Sequence, residues 1–360
     1  MMSIETQDLS EFHDDLRSVA RDLLARSGPG ENAPWQPLVD SGFLALEVPE
    51  AFDGADATLA ETAVVLTEMG RTAAAGPYAG IAVLGLALLD SLSPSTVRDA
   101  LYASTVTGAA RPVAVIPGEG PDMLVARLEH AADGYILDGT VAFVLDAPAA
   151  DNLLIPALAA DGSVVVVHLE PNVPGLDIVE HPVLDSSRSL GSVVADNVAV
   201  RADSVWRFEA DGRIALQRLN NRAAIAVACD SVGLSEAMLD ATVAFAGERE
   251  QFDRKVGSFQ AVKHACADML VQLTVAKKLV AAAVSADRGG VDEAAVAASM
   301  AKSFACSMAV QTAGKAMQLH GGMGYTWESG IHVYLKRAAL NRSLFGSPAQ
   351  HRARLARRYG

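Results

Sequence analysis

The feature that most constrains the fold is a change in the spacing of apolar residues in the middle of the chain. Between about Arg111 and Val205, short Val, Ile and Leu runs are separated by Gly, Pro, Asp and Asn, with Asp-Gly pairs at 133–134, 138–139 and 161–162. This pattern favours antiparallel strands joined by tight turns. Because the strands form one block between two helical blocks, and do not alternate with helices, we expect an α+β protein with a separate β domain.

Helices are predicted on both sides of this block. Before it, apolar residues recur at three- and four-residue steps along a first helix, and Gly28 to Gly30 break the pattern. After it, four segments favour a four-helix bundle: Asp211 to Phe245, Phe259 to Ala286, Asp292 to Leu319 and Ile331 to Leu344. We predict an N-terminal α-helical domain over residues 1–110, a middle antiparallel β domain over 111–208 and a C-terminal four-helix-bundle domain over 209–360.

Charge and cysteine usage exclude several classes of function. The 29 Lys and Arg against 43 Asp and Glu give a net charge of −14, which repels phosphate backbones, so we expect no nucleic-acid partner. Three cysteines without metal-ligand spacing fit a reducing cytoplasm. The longest apolar run, Ile81 to Leu89, is about half of what a membrane span needs, and the N-terminus is acidic. We expect a cytoplasmic globular protein without a membrane partner.

One segment of the C-terminal region has residues that suit a nucleotide. It runs from Arg249 and Phe252 through Gly257 to Gln260. An arginine with a nearby amide and a glycine turn can hold a phosphate and bond a nucleotide edge. An ordinary helix end followed by a glycine stop explains the same residues.

A second segment is the glycine-rich loop from Gln318 to Glu328, after a predicted helix. Its Gly321 and Gly322 let backbone N–H groups approach an anion, and a helix cap with a turn explains them equally well. His320 could be a base or a ligand, but no second ligand lies beside it at helical spacing, so we expect no metal site.

Taken in order, these segments and several others resemble the acyl-CoA dehydrogenase family over almost the whole chain. The motifs that carry the resemblance are Ser41-Gly42-Phe43, Val48-Pro49-Glu50, Glu68-Met69-Gly70-Arg71, Asp133 to Gly139, Leu184 to Arg188, and the two C-terminal segments, which match best.

The resemblance implies two helical domains flanking a β domain, bound FAD, and α,β-dehydrogenation of an acyl-CoA thioester with hydride transfer to the flavin. It also implies an electron-transfer acceptor and a dimer of dimers. The family's cofactor-binding positions fall on residues that would touch a flavin held mainly by a partner chain: Arg249, Phe252, Gln260, Gln318, Gly321, Gly322 and Ser347.

The positions of the catalytic base depart from the family pattern. The usual glutamate, in a Tyr-Glu-Gly-Thr run, aligns with Phe345, and the position that other members use aligns with Ala223. Neither side chain accepts a proton. Asp230 is the nearest acid, about two helical turns beyond Ala223. It could be a base with a raised pKa in an apolar site, or a polar helix residue that pairs with another group.

The β domain also departs from the pattern. Val115 to Gly120 stands where members have a flavin-lining Thr-Glu-Pro…Gly-Ser-Asp loop, and Phe143 to Asp146 stands where a tryptophan and a hydroxyl face the flavin ring. Both changes remove hydrogen-bond donors. The combination resembles the degenerate subunit of heteromeric acyl-CoA dehydrogenases, which occur in actinobacterial sterol and lipid degradation.

The leading hypothesis is therefore an FAD-dependent acyl-CoA dehydrogenase subunit that works with a second, base-bearing acyl-CoA dehydrogenase chain on a steroid- or lipid-derived acyl-CoA. A self-sufficient homo-oligomeric dehydrogenase with an atypical base is one alternative. A flavin-free structural or interaction protein on the same fold is another, and the presence of Arg249, Gln260 and Gln318 disfavours it.

Overall fold

A computed structural model of the chain describes residues 2–118 and 124–359. The chain divides into two compact units. We call them the helical unit, with residues 1–34, 59–75 and 224–360, and the sheet unit, with residues 35–58 and 76–223. The predicted class, a β region with helical regions before and after it, is confirmed. The boundaries at 110 and 208 stay a prediction.

The elements follow the predicted order. The helices are α1 Met2–Leu24, α2 Trp35–Asp40, α3 Leu59–Thr72, α4 Leu86–Asp90, α5 Thr96–Val106, α6 Gly212–Glu248, α7 Gln260–Ala286, α8 Val291–Leu319, α9 Ile331–Ser343 and α10 Pro348–Tyr359. A π-helical turn, Ala79–Gly85, leads into α4. The strands are β1 Pro112–Ala114, β2 Ala126–Ala131, β3 Gly134–Leu145, β4 Asn152–Ala159, β5 Val164–Leu169, β6 Leu176–Glu180, β7 Leu190–Val200, β8 Val205–Arg207, β9 Glu250–Gln251 and β10 Arg254–Lys255.

The large sheet is mixed, which corrects the prediction of an antiparallel β domain. Its strand order is β6-β7-β3-β2-β4-β5-β8, with β1 beside β4. β4 runs parallel to both β1 and β2, and the other pairs are antiparallel. After the β2–β3 hairpin the chain returns to the other edge of β2, so β4 has the direction of β2. Apolar runs and turn residues do not reveal which edge the next strand joins.

Two of the three Asp-Gly pairs are turns, and the third is not. Gly134 and Gly162 have positive φ at the β2–β3 and β4–β5 connections. Gly139 lies inside β3 at a register shift against β7, with φ of 146°. A Cβ there would lie 2.7 Å from the Cα of Ala126. This glycine therefore allows a β-bulge and a close approach of two strands.

The helical unit contains most of α6, the other three predicted C-terminal helices and a further helix, α10, which sequence reasoning missed. Its arginine-rich sequence buries Pro348 and His351, so no apolar period marks it. α3 and α6 cross through reciprocal glycines. A Cβ on Gly70 would lie 2.0 Å from the Asp230 carbonyl oxygen, and one on Gly233 would lie 1.8 Å from that of Thr67.

One helix among the described residues, α7, is long and apolar enough to cross a membrane by length and composition alone. The mean hydropathy of its most apolar 18-residue window is 1.5, and 28% of that window is buried inside the protein. Its buried residues lie three and four apart, which makes one inner stripe: Met269, Leu273, Ala276, Val280 and Ala283. α7 packs against α8. The sequence shows no uninterrupted apolar run of this length, because polar and charged residues such as Asp268, Gln272 and Lys277 interrupt it.

Candidate functional site

The segment after α6 is a β-hairpin rather than a simple helix end. β9 and β10 pair antiparallel across a two-residue turn, Phe252-Asp253. Both residues have positive φ, 56° and 61°, which matches the twist of two-residue hairpin turns. The Phe252 side chain is 86% exposed. Arg249 and Gln260 flank the hairpin and are exposed as well, so three predicted site residues share one accessible surface.

Aromatic and cationic contacts fix the base of this hairpin. The Arg254 guanidinium carbon lies 3.8 Å from the centre of the Phe259 ring. The Phe252 and Phe259 rings meet edge to face, with centroids 6.2 Å apart. Gly257 is required in the connection to α7, because a Cβ there would lie 2.8 Å from the Ala246 carbonyl oxygen. The hairpin is therefore a supported projection that presents an aromatic ring.

The glycine-rich loop begins where α8 ends. Gly321 has φ of 59°, as expected for the residue after a helix cap. A Cβ on either Gly321 or Gly322 would meet nothing within 4 Å. Packing therefore does not explain these glycines, whose bare backbone is open to an approaching group. Gln318, one turn earlier on α8, is exposed.

The stacked rings of Phe245 and His320 bring the hairpin and the loop together. Their centroids are 4.4 Å apart, with 26° between the planes. Phe245 lies one helical turn before Arg249, whose N–H donates to its carbonyl oxygen. His320 also bonds through Nδ1 to the Ala316 carbonyl oxygen at 2.8 Å. Among the described residues, no group of three or more His, Cys, Asp or Glu is suited to a metal. We call these two segments together the hairpin–loop surface.

The turn between α9 and α10 carries Phe345, which the sequence comparison predicts to take the place of the family's glutamate. Phe345 is 3% exposed and has φ of 55°, a left-handed conformation that is uncommon for a bulky residue. His351 supports it: Nε2 lies 3.0 Å from the Phe345 carbonyl oxygen, and Nδ1 lies 3.1 Å from Ser299 Oγ. The turn is thus held firmly, and its buried side chain is a hydrocarbon ring.

Ser347 begins α10. Its N–H donates to Gln350 Oε1 at 2.7 Å, and its Oγ accepts from the Gln350 N–H at 3.3 Å, an arrangement that caps the helix. On the other side of the turn, the buried Lys302 ammonium donates to the Asn341 carbonyl oxygen at 2.7 Å. The cofactor role of Ser347 stays a prediction.

Asp230 lies in a buried ion pair. It and Arg337 are both fully buried, and Arg337 Nε lies 3.0 Å from Asp230 Oδ2. Asn341 Nδ2 donates to the same carboxylate at 2.6 Å, and Arg337 Nη1 donates to the Ala74 carbonyl oxygen at 2.7 Å. Proton uptake by Asp230 would remove the negative charge that faces Arg337. These contacts favour the pairing role over the base role, which stays an untested prediction.

Ala223, which we predicted to align with the alternative base position, is fully buried and carries no acid. The preceding residue, Arg222, pairs with a carboxylate from another part of the sheet unit. Its Nη2 lies 2.7 and 2.6 Å from the two oxygens of Glu47. Sequence reasoning missed Glu47, because nothing in the spacing of residues 47 and 222 relates them.

The β-sheet positions that would face a flavin ring offer few donors. Val115 is buried, and its N–H is bonded to the Leu154 carbonyl oxygen; residues 119 and 120 of this predicted loop lie outside the described residues. Phe143 occupies a bulge in β3 with φ of 54°. Its ring stacks on His181 with centroids 4.8 Å apart, and His181 Nε2 bonds Ser192 Oγ at 2.8 Å.

A flavin dinucleotide therefore fits one part of this chain and not another. The hairpin–loop surface offers an exposed guanidinium, two exposed amide side chains, an aromatic ring and open glycine backbone. These groups suit the phosphates and adenine of a dinucleotide. The described positions of the sheet present apolar side chains and a stacked ring pair where hydrogen-bond donors would be needed.

Trp327 is a surface residue that the motif reading passed over. Trp327 is 76% exposed, which is unusual for a side chain as large and apolar as tryptophan. The Lys336 ammonium lies 5.1 Å from the ring centre, and His332 meets its edge at 4.4 Å. In the sequence, the one indication of this exposed aromatic side chain is a tryptophan within a polar loop.

Family models match both helical parts of the chain. Residues 9–98 match the acyl-CoA dehydrogenase N-terminal domain, and residues 211–360 match the acyl-CoA dehydrogenase C-terminal domain. These two ranges cover about two thirds of the sequence.

Curated relatives and solved structures match over nearly the whole length. Acyl-CoA dehydrogenase IpdE2 of Mycobacterium tuberculosis is 30% identical over 339 residues, which cover 94% of this chain and 90% of the relative. A variant of the Tcur3481-Tcur3483 steroid ACAD has a TM-score of 0.85 at 26% identity and covers 97% of both chains. The ChsE4-ChsE5 complex from Mycobacterium tuberculosis has a TM-score of 0.86 at 23% identity and 96% coverage of both chains.

Proposed function

Because this chain belongs to the acyl-CoA dehydrogenase family, an oxidoreductase family, we propose that it is one subunit of a heteromeric, FAD-dependent acyl-CoA dehydrogenase. A second chain of the family carries the catalytic base. In the assembly, this chain completes the dinucleotide site of its partner. The reaction is α,β-dehydrogenation of an acyl-CoA thioester, and an electron-transfer acceptor reoxidises the enzyme in the cytoplasm.

The observation that carries this proposal is Phe345. A phenylalanine aligns with the family's glutamate in the sequence, and in the structure it is buried on a turn that His351 supports. A hydrocarbon ring cannot take the α-proton of a thioester, so a carboxylate has to come from elsewhere. Asp230 is a poor substitute, because its carboxylate faces Arg337 and Asn341 in the interior of the helical unit.

The hairpin–loop surface supports the other half of the proposal. When bound, FAD supplies the hydride acceptor. This chain's contribution is to orient the cofactor: Arg249 faces a phosphate, Phe252 packs against the adenine, and the backbone at Gly321 and Gly322 approaches the pyrophosphate. Gln260 and Gln318 bond polar edges. Ser347 is proposed as a further, weaker contact. All of these residues except Ser347 are exposed in the single chain, as a contact to a cofactor held mainly by another subunit requires.

The substrate class and assembly are suggested by the relatives. One matching structure is a steroid ACAD, and another is a two-protein complex by its own description. We propose a bulky steroid- or lipid-derived acyl-CoA as substrate and a dimer of dimers as assembly. Assays with a panel of acyl-CoA substrates would identify the acyl group.

The test is to purify the chain alone and after co-expression with acyl-CoA dehydrogenase chains encoded beside it, and to quantify flavin per subunit from the visible spectrum. We expect trace flavin in the chain alone, and near-stoichiometric flavin with acyl-CoA-dependent dye reduction in a mixed assembly. The matched variants are Arg249→Gln, which loses flavin from the mixture, and Arg213→Gln, an exposed arginine at the start of α6, which retains it.

Two outcomes would overturn the proposal. An active, flavin-loaded homo-oligomer would make the chain self-sufficient, and loss of that activity in Asp230→Asn at unchanged thermal stability would identify its base. Absence of flavin from the chain and from every mixed assembly would leave a flavin-free interaction protein.

A further inference from the structure

The C-terminal end of the chain has a charge opposite to that of the rest. Residues 329–360 contain seven lysine and arginine residues and no aspartate or glutamate, whereas the remainder of the chain has a net charge of −21. Arg337 is one of the seven and is paired with Asp230 inside the helical unit. Four others lie on α10, a helix of 12 residues. Neither the proposed flavin contacts nor the buried pair explains these four arginines.

Three of the arginines lie on one side of α10. Arg357 and Arg358 follow Arg354 at three and four residues, a spacing that makes helix residues neighbours, and all three are exposed. We call them the arginine face. The fourth, Arg352, is also exposed but lies about 200° around the helix from Arg354. The positive charge of α10 is therefore concentrated on one face and not spread evenly around the helix.

The arginine face has more positive charge than its neighbours balance. Arg358 Nη1 lies 3.4 Å from Asp292 Oδ2, and both side chains are exposed. Neither Arg354 nor Arg357 has a hydrogen-bond or ion-pair partner among the described residues. Partial burial and the Arg357 cation both lower the pKa of the Arg354 guanidinium. Because like charges at this spacing destabilise a helix, an anion bound between them would relieve a repulsion that the fold itself leaves in place.

The other side chains around this face are small. Ala353 and Ala356 are exposed between the arginines, and Leu355 is half-buried. A protein interface is centred on large apolar or aromatic side chains, so a small anion suits this face better than an acidic protein does. Charges act over about 8 Å in physiological salt. A small anion therefore meets mainly the arginines, whereas a long polyanion would also meet the acidic remainder of the chain.

We propose that the arginine face binds a terminal phosphate group. Such a group has close to two negative charges at neutral pH, and guanidinium groups bind its oxygens through pairs of parallel hydrogen bonds. Inorganic phosphate, a nucleotide such as ADP and the 3′-phosphate of CoA all provide this group. FAD does not, because both of its phosphates lie within the chain of the dinucleotide. The site is therefore separate from the proposed flavin contacts and does not depend on them.

Titration calorimetry of the whole chain at constant ionic strength tests the proposal. The ligands are inorganic phosphate, ADP, adenosine, CoA and dephospho-CoA, of which the last two differ only in the 3′-phosphate. We expect binding of inorganic phosphate, ADP and CoA, and at least roughly tenfold weaker binding of adenosine and dephospho-CoA. The tightest of the three phosphate ligands identifies the source of the group as coenzyme, nucleotide or free phosphate.

Variants on the two sides of α10 make the result specific. Arg354→Gln and Arg357→Gln should each weaken binding of these ligands roughly tenfold to a hundredfold, because each removes a charged hydrogen-bond donor. Arg352→Gln removes the same charge from the other side of the same helix and should leave the affinity almost unchanged.

Thermal unfolding gives a second readout that does not depend on heats of binding. Inorganic phosphate should raise the unfolding temperature of the wild type and of Arg352→Gln, because it binds the folded chain. It should not raise that of Arg357→Gln. In phosphate-free buffer, Arg357→Gln should unfold at the wild-type temperature or slightly above it, since the substitution removes a like-charge contact.

Three results would overturn the inference. One is a phosphate effect on unfolding no larger than that of chloride at the same ionic strength, and another is equal loss of affinity in Arg352→Gln and Arg357→Gln. The third is binding of poly-glutamate without binding of terminal phosphates, which would indicate an acidic protein partner. Flavin is quantified in mixed assemblies of the same variants. Arg357→Gln should retain flavin there, whereas Arg249→Gln loses it, so failure of this inference and failure of the proposed function are distinguishable.

Discussion

The hairpin–loop surface and the network around Asp230 lie in the same helical unit and both involve α6, but their polar groups are in opposite situations. At the surface, Arg249 and Gln318 are exposed beside open glycine backbone. In the interior, Asp230 and Arg337 have no exposure and are bonded to each other, and Asn341 donates to the Asp230 carboxylate. The comparison shows that the type of a charged residue does not by itself indicate its role. A buried charged group that is already paired stabilises the fold, whereas an exposed one is available to bind a ligand.

The largest expected effect comes from breaking the interior pair. Arg337→Ala leaves the Asp230 carboxylate buried without its main counter-charge, and the free energy of unfolding should fall by about 3–5 kcal/mol. Arg249→Ala removes an exposed arginine and should change it by less than about 0.5 kcal/mol. Urea unfolding followed by circular dichroism measures both. Equal losses in the two variants would contradict the distinction.

Lowering the pH should reduce the stability of the turn between α9 and α10, because His351 supports this turn in its neutral form. Burial is the main cause that lowers the pKa of this imidazole from 6.5 to about 4; the Arg354 and Lys302 cations act in the same direction, and the hydrogen bond to the Phe345 carbonyl oxygen opposes them. The unfolded chain takes up the proton first as the pH falls, so stability should be constant above about pH 6.5 and decrease by about 3 kcal/mol on the way to pH 4.

The variant His351→Gln is the control for that pH dependence. A glutamine can still donate to the Phe345 carbonyl oxygen but does not titrate, so the decrease between these two pH values should become smaller by the His351 contribution. The free energy of unfolding at a series of pH values decides it. Identical slopes for wild type and variant would exclude His351 as the cause.

Steric crowding at the α3–α6 crossing gives a smaller effect. A methyl group on Gly233 would overlap the Thr67 carbonyl oxygen, and Gly233→Ala should lower stability by about 1–3 kcal/mol. Gly314→Ala is the matched helical control, because nothing lies within 4 Å of its Cβ; it should raise stability by about 0.5–1 kcal/mol. Thermal unfolding of the pair should show shifts of opposite sign.

The smallest effect on stability is expected at the hairpin tip. Phe252 is 86% exposed, so Phe252→Ala should leave the unfolding transition almost unchanged. In a flavin-containing mixed assembly, loss of a stacking ring should weaken cofactor retention roughly tenfold. Dialysis against flavin-free buffer with absorbance readings measures it, with Phe12→Ala, another exposed phenylalanine, as the comparison. Equal retention in both variants would remove Phe252 from the site.

The sequence predicts the order of helices and strands because both depend on local apolar spacing. The parallel partners of β4 and the bulge at Gly139 were not predicted, because each depends on which distant strand lies beside the residue. α10 was missed because its buried residues are Pro348 and His351 rather than an apolar series.

In the site too, features that depend on local sequence were predicted, and contacts between distant residues were not. The motifs at Arg249 and Gln318 identify two segments, which the Phe245–His320 stack joins. The partner of Asp230 could not be predicted, because Arg337 is 107 residues away and the pair has no spacing signature. From the sequence, Asp230 could be identified only as the acidic residue nearest to Ala223. Only the packing of α6 against α9 shows what its carboxylate contacts.

The reciprocal glycines at the α3–α6 crossing also govern how the helical unit opens. With backbone against backbone at Gly70 and Gly233, neither helix can fray or slide at the crossing without losing the contact of the other. Amide hydrogens near residues 67–70 and 230–233 should therefore exchange with deuterium together, at the rate set by unfolding of the whole unit. Those of the Phe252 hairpin should exchange much earlier, so the segment proposed to meet a cofactor is also the one that can adjust to it.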